Sequence, residues 1–446
     1  MKQLFCKRFF AGLPALLGVC LGFSGSVRGS SAPTIPALFG NQRCSAQVCF
    51  EDANQGPTEL TRVFVGLWGE GKNSPQGRAL LTELITCMRF MHIFEVTYEI
   101  LDEAPTAKAD IVNCFAKENY HWALYLSYDG LQKPIEWRMY NTQLGTMVSG
   151  KRVYGSHAVV EVARDIACRL VKKLISMDAP FLNKIAYVEQ DDLHHQSILW
   201  RCDYDGSNKK KIAATPYRLL VPRWGKWNEG ENPFLVVSKS MLDRVSLVAF
   251  DMQTGRQYQV VDKRGTTAVG MSYAPHAQKV AYGRSGKIWL CDGEQLPHCV
   301  LAGAGDCASP TILDSGDIIY CSSGKIWWYD AQTRKSRVLF SDGFCVSPAY
   351  DPINKQVVYA KSVKGTMQLC LYDMATKRST QLTTDAGNKA DPSLAPGGRF
   401  CLFVWEQGMI ECVALLDLMT KKYTNITPPG KRCRGGVFSP ACGGFA

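Results

Sequence analysis

A repeat constrains this chain more than any other feature of its sequence. Six short apolar strands each end in aspartate followed by turn residues: Ile198–Asp203, Leu247–Asp251, Ile288–Asp292, Ile326–Asp330, Leu369–Asp373 and Ala414–Asp417. The aspartates stand 48, 41, 38, 43 and 44 residues apart. Strand-rich units that recur about every 40–45 residues are the signature of a β-propeller with four strands per blade. Six aspartates predict six blades. Each aspartate is followed by residues such as Met252-Gln253-Thr254-Gly255, so its first role is to bond its own backbone and set a hairpin turn. Ala274-Pro275 and Ala395-Pro396-Gly397-Gly398 precede apolar strands, and Ser309-Pro310 and Ser347-Pro348 read as the same landmark. Val437-Phe438-Ser439-Pro440 has no unit after it, which predicts a terminal strand that completes the blade begun at the other end of the ring and removes the open edges.

Upstream of the repeat, residues from about 59 to 176 alternate helix and strand. Val63–Trp68 is a short apolar strand, and Leu80, Leu81, Leu84, Ile85 and Met88 form one helical stripe after Ser74-Pro75. Asp110–Val112 and Trp122–Tyr128 read as further strands. Ile135, Trp137 and Met139 alternate with polar neighbours, as one-sided burial requires. Ser156 is a candidate cap for a helix with Val159, Val162, Ala163, Ile166, Leu170 and Leu174 on one face and Lys172 and Lys173 at its negative end.

The N-terminus has the form of a secretory signal. Lys2, Lys7 and Arg8 precede an apolar run from Phe9 to Phe23, and small residues follow. The run is shorter than the ~20 residues a membrane span needs. Cleavage is expected between residues 23 and 32. Leu17-Gly18-Val19-Cys20 also admits a lipoprotein reading, against which the bulky Val19 argues. The formal net charge of +11 steers acidic partners but does not imply nucleic-acid binding. Lys209-Lys210-Lys211 reads as a solvated turn. Of 18 cysteines, many, such as Cys291, Cys321, Cys370, Cys401 and Cys412, lie inside strand-like runs, where cysteine acts as a small buried hydrophobe. Export makes some bridges plausible, with no readable connectivity.

Catalytic chemistry finds little support. A peptidase attached to a propeller would need a Gly-x-Ser-x-Gly elbow, and the chain beyond the signal has none. Gly283–Lys287 lacks phosphate-loop spacing. His194-His195 with Glu189, Asp191 and Asp192 could coordinate a cation, although a solvated hairpin is the stronger reading. Cys291, His298 and Cys299 lack a fourth ligand at zinc spacing. Trp289, Trp327 and Trp328 read as blade packing. No cofactor and no metal is expected.

Several segments resemble the TolB family of the Tol–Pal envelope system. They are Arg138-Met139-Tyr140-Asn141, Val148-Ser149-Gly150, the helix after Ser156, Phe181–Val188 and Asp391–Gly398. The resemblance runs from about residue 60 to the end. The family's Ser-Pro-Asp-Gly blade motif is eroded here to Ala274-Pro275-His276-Ala277, Asp314-Ser315-Gly316 and Asp351-Pro352-Ile353-Asn354. The resemblance implies an α/β N-terminal domain followed by an all-β six-bladed β-propeller. Its expected divisions are a signal peptide at 1–25, a flexible segment at 26–58, the α/β domain at 59–178 and the propeller at 179–446. It also implies a monomeric, non-catalytic periplasmic scaffold. One propeller face would bind the Pal lipoprotein, and the segment after the signal would engage TolA. Carried over by motif, the Pal contacts are Thr266, Thr267, Ala268 and Val269, then Asp306, Cys307, Ala308 and Ser309. Phe344, Cys345, Lys389, Ala390 and Asp391 follow, with Arg432 and Arg434 in the closing loop. A secreted propeller for a glycan or another ligand, or a non-catalytic relative of peptidase propellers, is the alternative.

Overall fold

The computed structural model describes residues 60–103, 119–154, 158–225, 234–240, 245–252, 254–261, 268–274, 279–291, 298–301 and 306–439. The expected signal peptide, its cleavage site, the flexible segment, the strand at Asp110–Val112 and the cap Ser156 lie outside them.

The first domain is a five-stranded mixed sheet with two helices. Its strands are β1 (Thr61–Trp68), β2 (Phe94–Ile100), β3 (Trp122–Ser127), β4 (Ile135–Asn141) and β5 (Thr146–Val153). They run in the order β2-β1-β3-β4-β5. β1 is parallel to β2 and β3, and the β3–β4–β5 meander is antiparallel. α1 (Pro75–Phe90) starts where Ser74-Pro75 predicts, with Ser74 Oγ accepting the Gly77 amide at 3.1 Å. α2 (Val159–Ile175) has Ala158 at its cap position and no side-chain cap bond. The expected apolar stripes of both helices join Val63, Val65 and Leu67 of β1 in one core, with Val159 and Leu174 half-buried at its edge.

The repeat folds into six four-stranded sheets. The innermost strands are β9 (Arg218–Gly225), β13 (Ala268–Ala274), β17 (Cys307–Ile312), β21 (Cys345–Asp351), β25 (Asn388–Leu394) and β29 (Arg432–Phe438). The second strands are β6 (Lys184–Asp191), β10 (Phe234–Ser240), β14 (Lys279–Arg284), β18 (Ile318–Ser322), β22 (Gln356–Val363) and β26 (Phe400–Gln407). The aspartate-ending strands are third in each blade: β7 (Gln196–Asp203), β11 (Val245–Asp251), β15 (Lys287–Cys291), β19 (Lys325–Asp330), β23 (Thr366–Asp373) and β27 (Ile410–Asp417). The outermost are β8 (Lys210–Thr215), β12 (Gln257–Val261), β16 (His298–Leu301), β20 (Lys335–Phe340), β24 (Arg378–Gln381) and β28 (Tyr423–Asn425). Blade 1 has the order β29-β6-β7-β8, so a C-terminal strand does close the ring. Blades 2 to 6 follow in chain order.

The turn reading of the aspartates holds at four blades. Asp251 accepts the Thr254 amide, Asp330 that of Thr333, Asp373 those of Ala375 and Thr376, and Asp417 that of Met419, all at 2.7–3.0 Å. Two other landmarks shift. Lys210 and Lys211 open the outermost strand β8 and are exposed, where charge blocks edge-to-edge pairing. Ser309-Pro310 and Ser347-Pro348 lie inside β17 and β21 rather than ahead of a strand.

The α/β domain docks on blades 1 and 6 through one continuous apolar core. Phe90 at the end of α1 packs against Phe181, Tyr204 and Phe400 at centroid distances of 6.2, 5.0 and 5.6 Å. Arg164 of α2 bonds Glu83 of α1 and Asp203 of blade 1, both at 2.6 Å. Burial alone would push the Asp203 carboxyl up, but bonds from Lys184, Asn208 and Arg164 outweigh it and hold the group below its ordinary value. A carboxyl depressed on folding contributes stability that is full above its unfolded pKa and lost as pH falls through the folded one. Urea midpoints are therefore expected to fall below about pH 4, and Asp203→Asn to blunt that acid sensitivity.

The described cysteines are free thiols; ten are buried, Cys168 is half-buried and Cys299 is exposed. The bridges that export made plausible are absent among these residues. Burial pushes the thiols of Cys202, Cys401 and Cys433 up to about 12, so they stay protonated and inert. Among the described cysteines, iodoacetamide is expected to label Cys299 in the native protein and the buried ones only after unfolding. Peptide mass spectrometry reads this directly.

Candidate functional site

The six innermost strands start at one rim of the ring and end at the other. Their ends turn into hairpins such as Ala395–Arg399, where Arg399 reaches Met91 of the α/β domain. Their starts therefore mark the face opposite the docked domain. The predicted contact residues gather on that face, because each sits at or just before an innermost strand. Thr266 and Thr267 lie outside the described residues, while Ala268 and Val269 open β13. Asp306 is exposed, Ser309 and Phe344 are half-buried, and Ala390 and Asp391 lie in the first half of β25 half-buried.

Four of the predicted contacts are turned inward. Cys307, Ala308, Cys345 and Lys389 are buried. The Lys389 ammonium donates to the carbonyls of Asp385, Ala386 and Gly387 at 2.7, 2.7 and 3.1 Å and pairs with the Asp385 carboxylate at 3.0 Å. Removing an ammonium from water demands such saturation. Lys389 therefore shapes its loop and does not present its charge to a partner.

The same rim carries a repeated backbone irregularity. In β13, β17, β21, β25 and β29 the register slips at Gly270, Ser309, Ser347, Asp391 and Gly435. Each of these has positive φ, between 47° and 65°. A bulge with one left-handed residue bends the strand and re-aims its start. Pro310, Pro348 and Pro392 follow three of the five, a place where no ladder amide is required. Ser347 Oγ donates to Asp391 Oδ1 at 3.1 Å and ties blade 5 to blade 6. The Ser-Pro and Asp-Pro pairs are thus bulge markers.

The closing strand brings the predicted Arg432 and Arg434 into a charged cluster. Arg432 pairs with Asp192 at 2.8 Å and Glu411 at 3.6 Å, and Arg434 pairs with Glu411. Sequence reasoning missed a third arginine, Arg218 at the start of β9. Leu219 beside it donates its amide to Ser197 Oγ and accepts Gln190 Nε2, both at 3.0 Å, and Gln190 is the cross-strand neighbour of Arg432. β9 shows a register slip as well, but Leu219-Leu220-Val221-Pro222 lacks the Ser-Pro marker that could have revealed it.

The other chemical candidates resolve into structure. Ser285 and Gly286 are the positive-φ pair of a tight hairpin, as are Ser323-Gly324 and Lys364-Gly365. His194 caps its own turn by bonding Asp191 at 2.8 Å, a bond that leads in pulling the Asp191 carboxyl down to about 2. Cys291 is a buried free thiol, whereas His298 and Cys299 are exposed on β16. Among the described residues no three His, Cys, Asp or Glu side chains converge as metal ligands would. No described helix is long and apolar enough to cross a membrane.

No protein-family model matches the chain, and no curated protein matches it in sequence. Solved structures do match in shape. TolB from Acinetobacter baumannii superposes with a TM-score of 0.72 at 14% identity, covering 86% of this chain and 98% of that one. A nidogen/laminin complex overlaps 58% of this chain at 11% identity, with a TM-score of 0.47. The Acinetobacter match is too long for the propeller alone, because it takes in the α/β domain as well: the chain has the two-domain fold of TolB.

Proposed function

We propose that this protein is a non-catalytic periplasmic scaffold of the Tol–Pal type. Its bulged rim binds a peptidoglycan-associated lipoprotein, and its segment after the signal engages a TolA-like protein. In this role it supports outer-membrane integrity and cell division. The observation that carries the reading is the pairing of an α/β domain with a six-bladed ring in one TolB-like fold along most of the chain. The rim suits the role because loops held by bulges build an interface without any chemistry.

The test is a capture experiment from detergent-solubilised envelopes, with the mature chain and with a form lacking the residues just after the signal. Both forms are expected to recover a Pal-like lipoprotein, and only the full one a TolA-like protein. Recovery of neither from an envelope containing both would overturn the scaffold reading.

A further inference from the structure

We propose that the notch between Arg218, Arg432 and Arg434, where blades 6, 1 and 2 meet at the rim, receives a carboxylate presented by a partner protein between apolar side chains. The proposal rests on the scaffold reading for where a partner sits, not for which protein it is.

The charges are the first argument. Arg432 and Arg434 hold Asp192 and Glu411 as direct counter-ions, and Arg218 beside them has none. A third carboxyl, Glu406, sits opposite Glu411 across the β26–β27 pair. Burial and the Glu411 charge push the Glu406 carboxyl up. Among the described residues the Arg218 side chain makes no hydrogen bond and no ion pair, and its Nε is enclosed with no acceptor. The Arg434 Nε is enclosed in the same way. Burial and then the charge of Arg434 pull Arg218 down to about 10, which is the mark of a cation short of a counter-ion. A carboxylate accepts two guanidinium donors at once.

The surroundings are the second argument. Leu193 is 89% exposed, Met409 92% and Ile410 57%. Leu193 follows Asp192 on the β6–β7 hairpin, and Met409 and Ile410 precede Glu411 on the β26–β27 hairpin, so exposed apolar side chains lie on the same hairpins of adjacent blades as the carboxylates of the notch. Apolar tips around unmet guanidinium groups fit an acidic side chain flanked by hydrophobic ones. An isolated anion would leave the tips uncovered. Lys239, whose ammonium lies 3.7 Å from the centre of the Tyr217 ring, adds positive potential beside Arg218.

The test uses the full mature chain and a fluorescein-labelled peptide with one Glu flanked by leucines, against the same peptide with Gln. Fluorescence polarisation is expected to show the Glu peptide binding on the order of tenfold tighter, with the margin shrinking as salt rises. Arg218→Gln should abolish that margin, and Arg218→Lys should keep part of it. Arg218→Gln should also leave the melting temperature unchanged or raised, since it relieves repulsion from Arg432 and Arg434; a purely structural arginine would lower it. No preference for Glu, or a preference that survives Arg218→Gln, would overturn the proposal. Capture of the Pal-like lipoprotein separates the two readings. Loss of capture in Arg218→Gln supports the notch, and equal capture by both forms overturns it. Glu preference in the peptide assay without any lipoprotein capture keeps the notch and overturns the scaffold reading.

Discussion

Replacing Arg399 with alanine is expected to lower the stability of the folded chain by about 3–5 kcal/mol, the usual cost of stripping one partner from a buried ion pair. The side chain is fully buried, and Nε and Nη2 grip the Asp417 carboxylate at 3.1 and 2.7 Å. Nη2 also donates to the Met91 carbonyl at 2.7 Å, at the cap position that ends α1. That carbonyl belongs to the negative end of a helix and has no partner within it. One guanidinium therefore holds a blade 6 hairpin together and fastens the α/β domain to it. With alanine in place, Asp417 becomes a buried anion without its counter-ion, and Met91 loses its donor. Urea unfolding followed by far-UV circular dichroism measures the loss. The double variant Arg399→Met with Asp417→Leu is expected to recover much of it, because no uncompensated charge remains. Additive losses from the two single replacements would show that the pair does not act as a unit.

Ending the chain at residue 430 should have the larger effect: loss of the closed propeller. The deletion removes β29, the innermost strand of blade 1, whose Cys433, Val437 and Phe438 are buried. Trp224 of β9 donates to the Val437 carbonyl at 3.2 Å, and the Ser439 amide donates to the Lys184 carbonyl at 2.7 Å. Without β29 the ladder along β6 is open, and the apolar cores on both sides of blade 1 face water. Size-exclusion chromatography should report an expanded or aggregating species, with near-UV circular dichroism lost. A synthetic peptide of residues 430–446 added during refolding should restore part of the signal by strand addition. Cooperative unfolding of the truncated chain at the midpoint of the full one would contradict this account.

Both effects depend on residues whose roles were legible to different degrees in the sequence. The spacing of Asp203, Asp251, Asp330, Asp373 and Asp417 is a local signal, because a hairpin recurs wherever a blade does. With Asp292 it revealed the blade count, and the Val437–Pro440 landmark revealed the closing strand. The α1 and α2 stripes were legible for the same reason, since burial of one helix face imposes its own period. Strand β2 has no such clarity: Glu95, Thr97 and Glu99 dilute it, and its place at the sheet edge beside β1 is set by pairing. Arg399 follows two glycines and reads as an ordinary surface cation. Nothing near it announces Met91, which is 308 residues away.

The candidate rim divides along the same line. The family resemblance, carried over by motif, put the predicted contacts at or just before the innermost strands. It could not say that Lys389 turns inward on its own loop, or that Arg218 stands beside Arg432 and Arg434. Those facts depend on which blades the closing strand brings together. Periodicity in a chain reports what neighbouring residues bury. The pairing of charges across a ring depends on closure, and closure exists only in three dimensions.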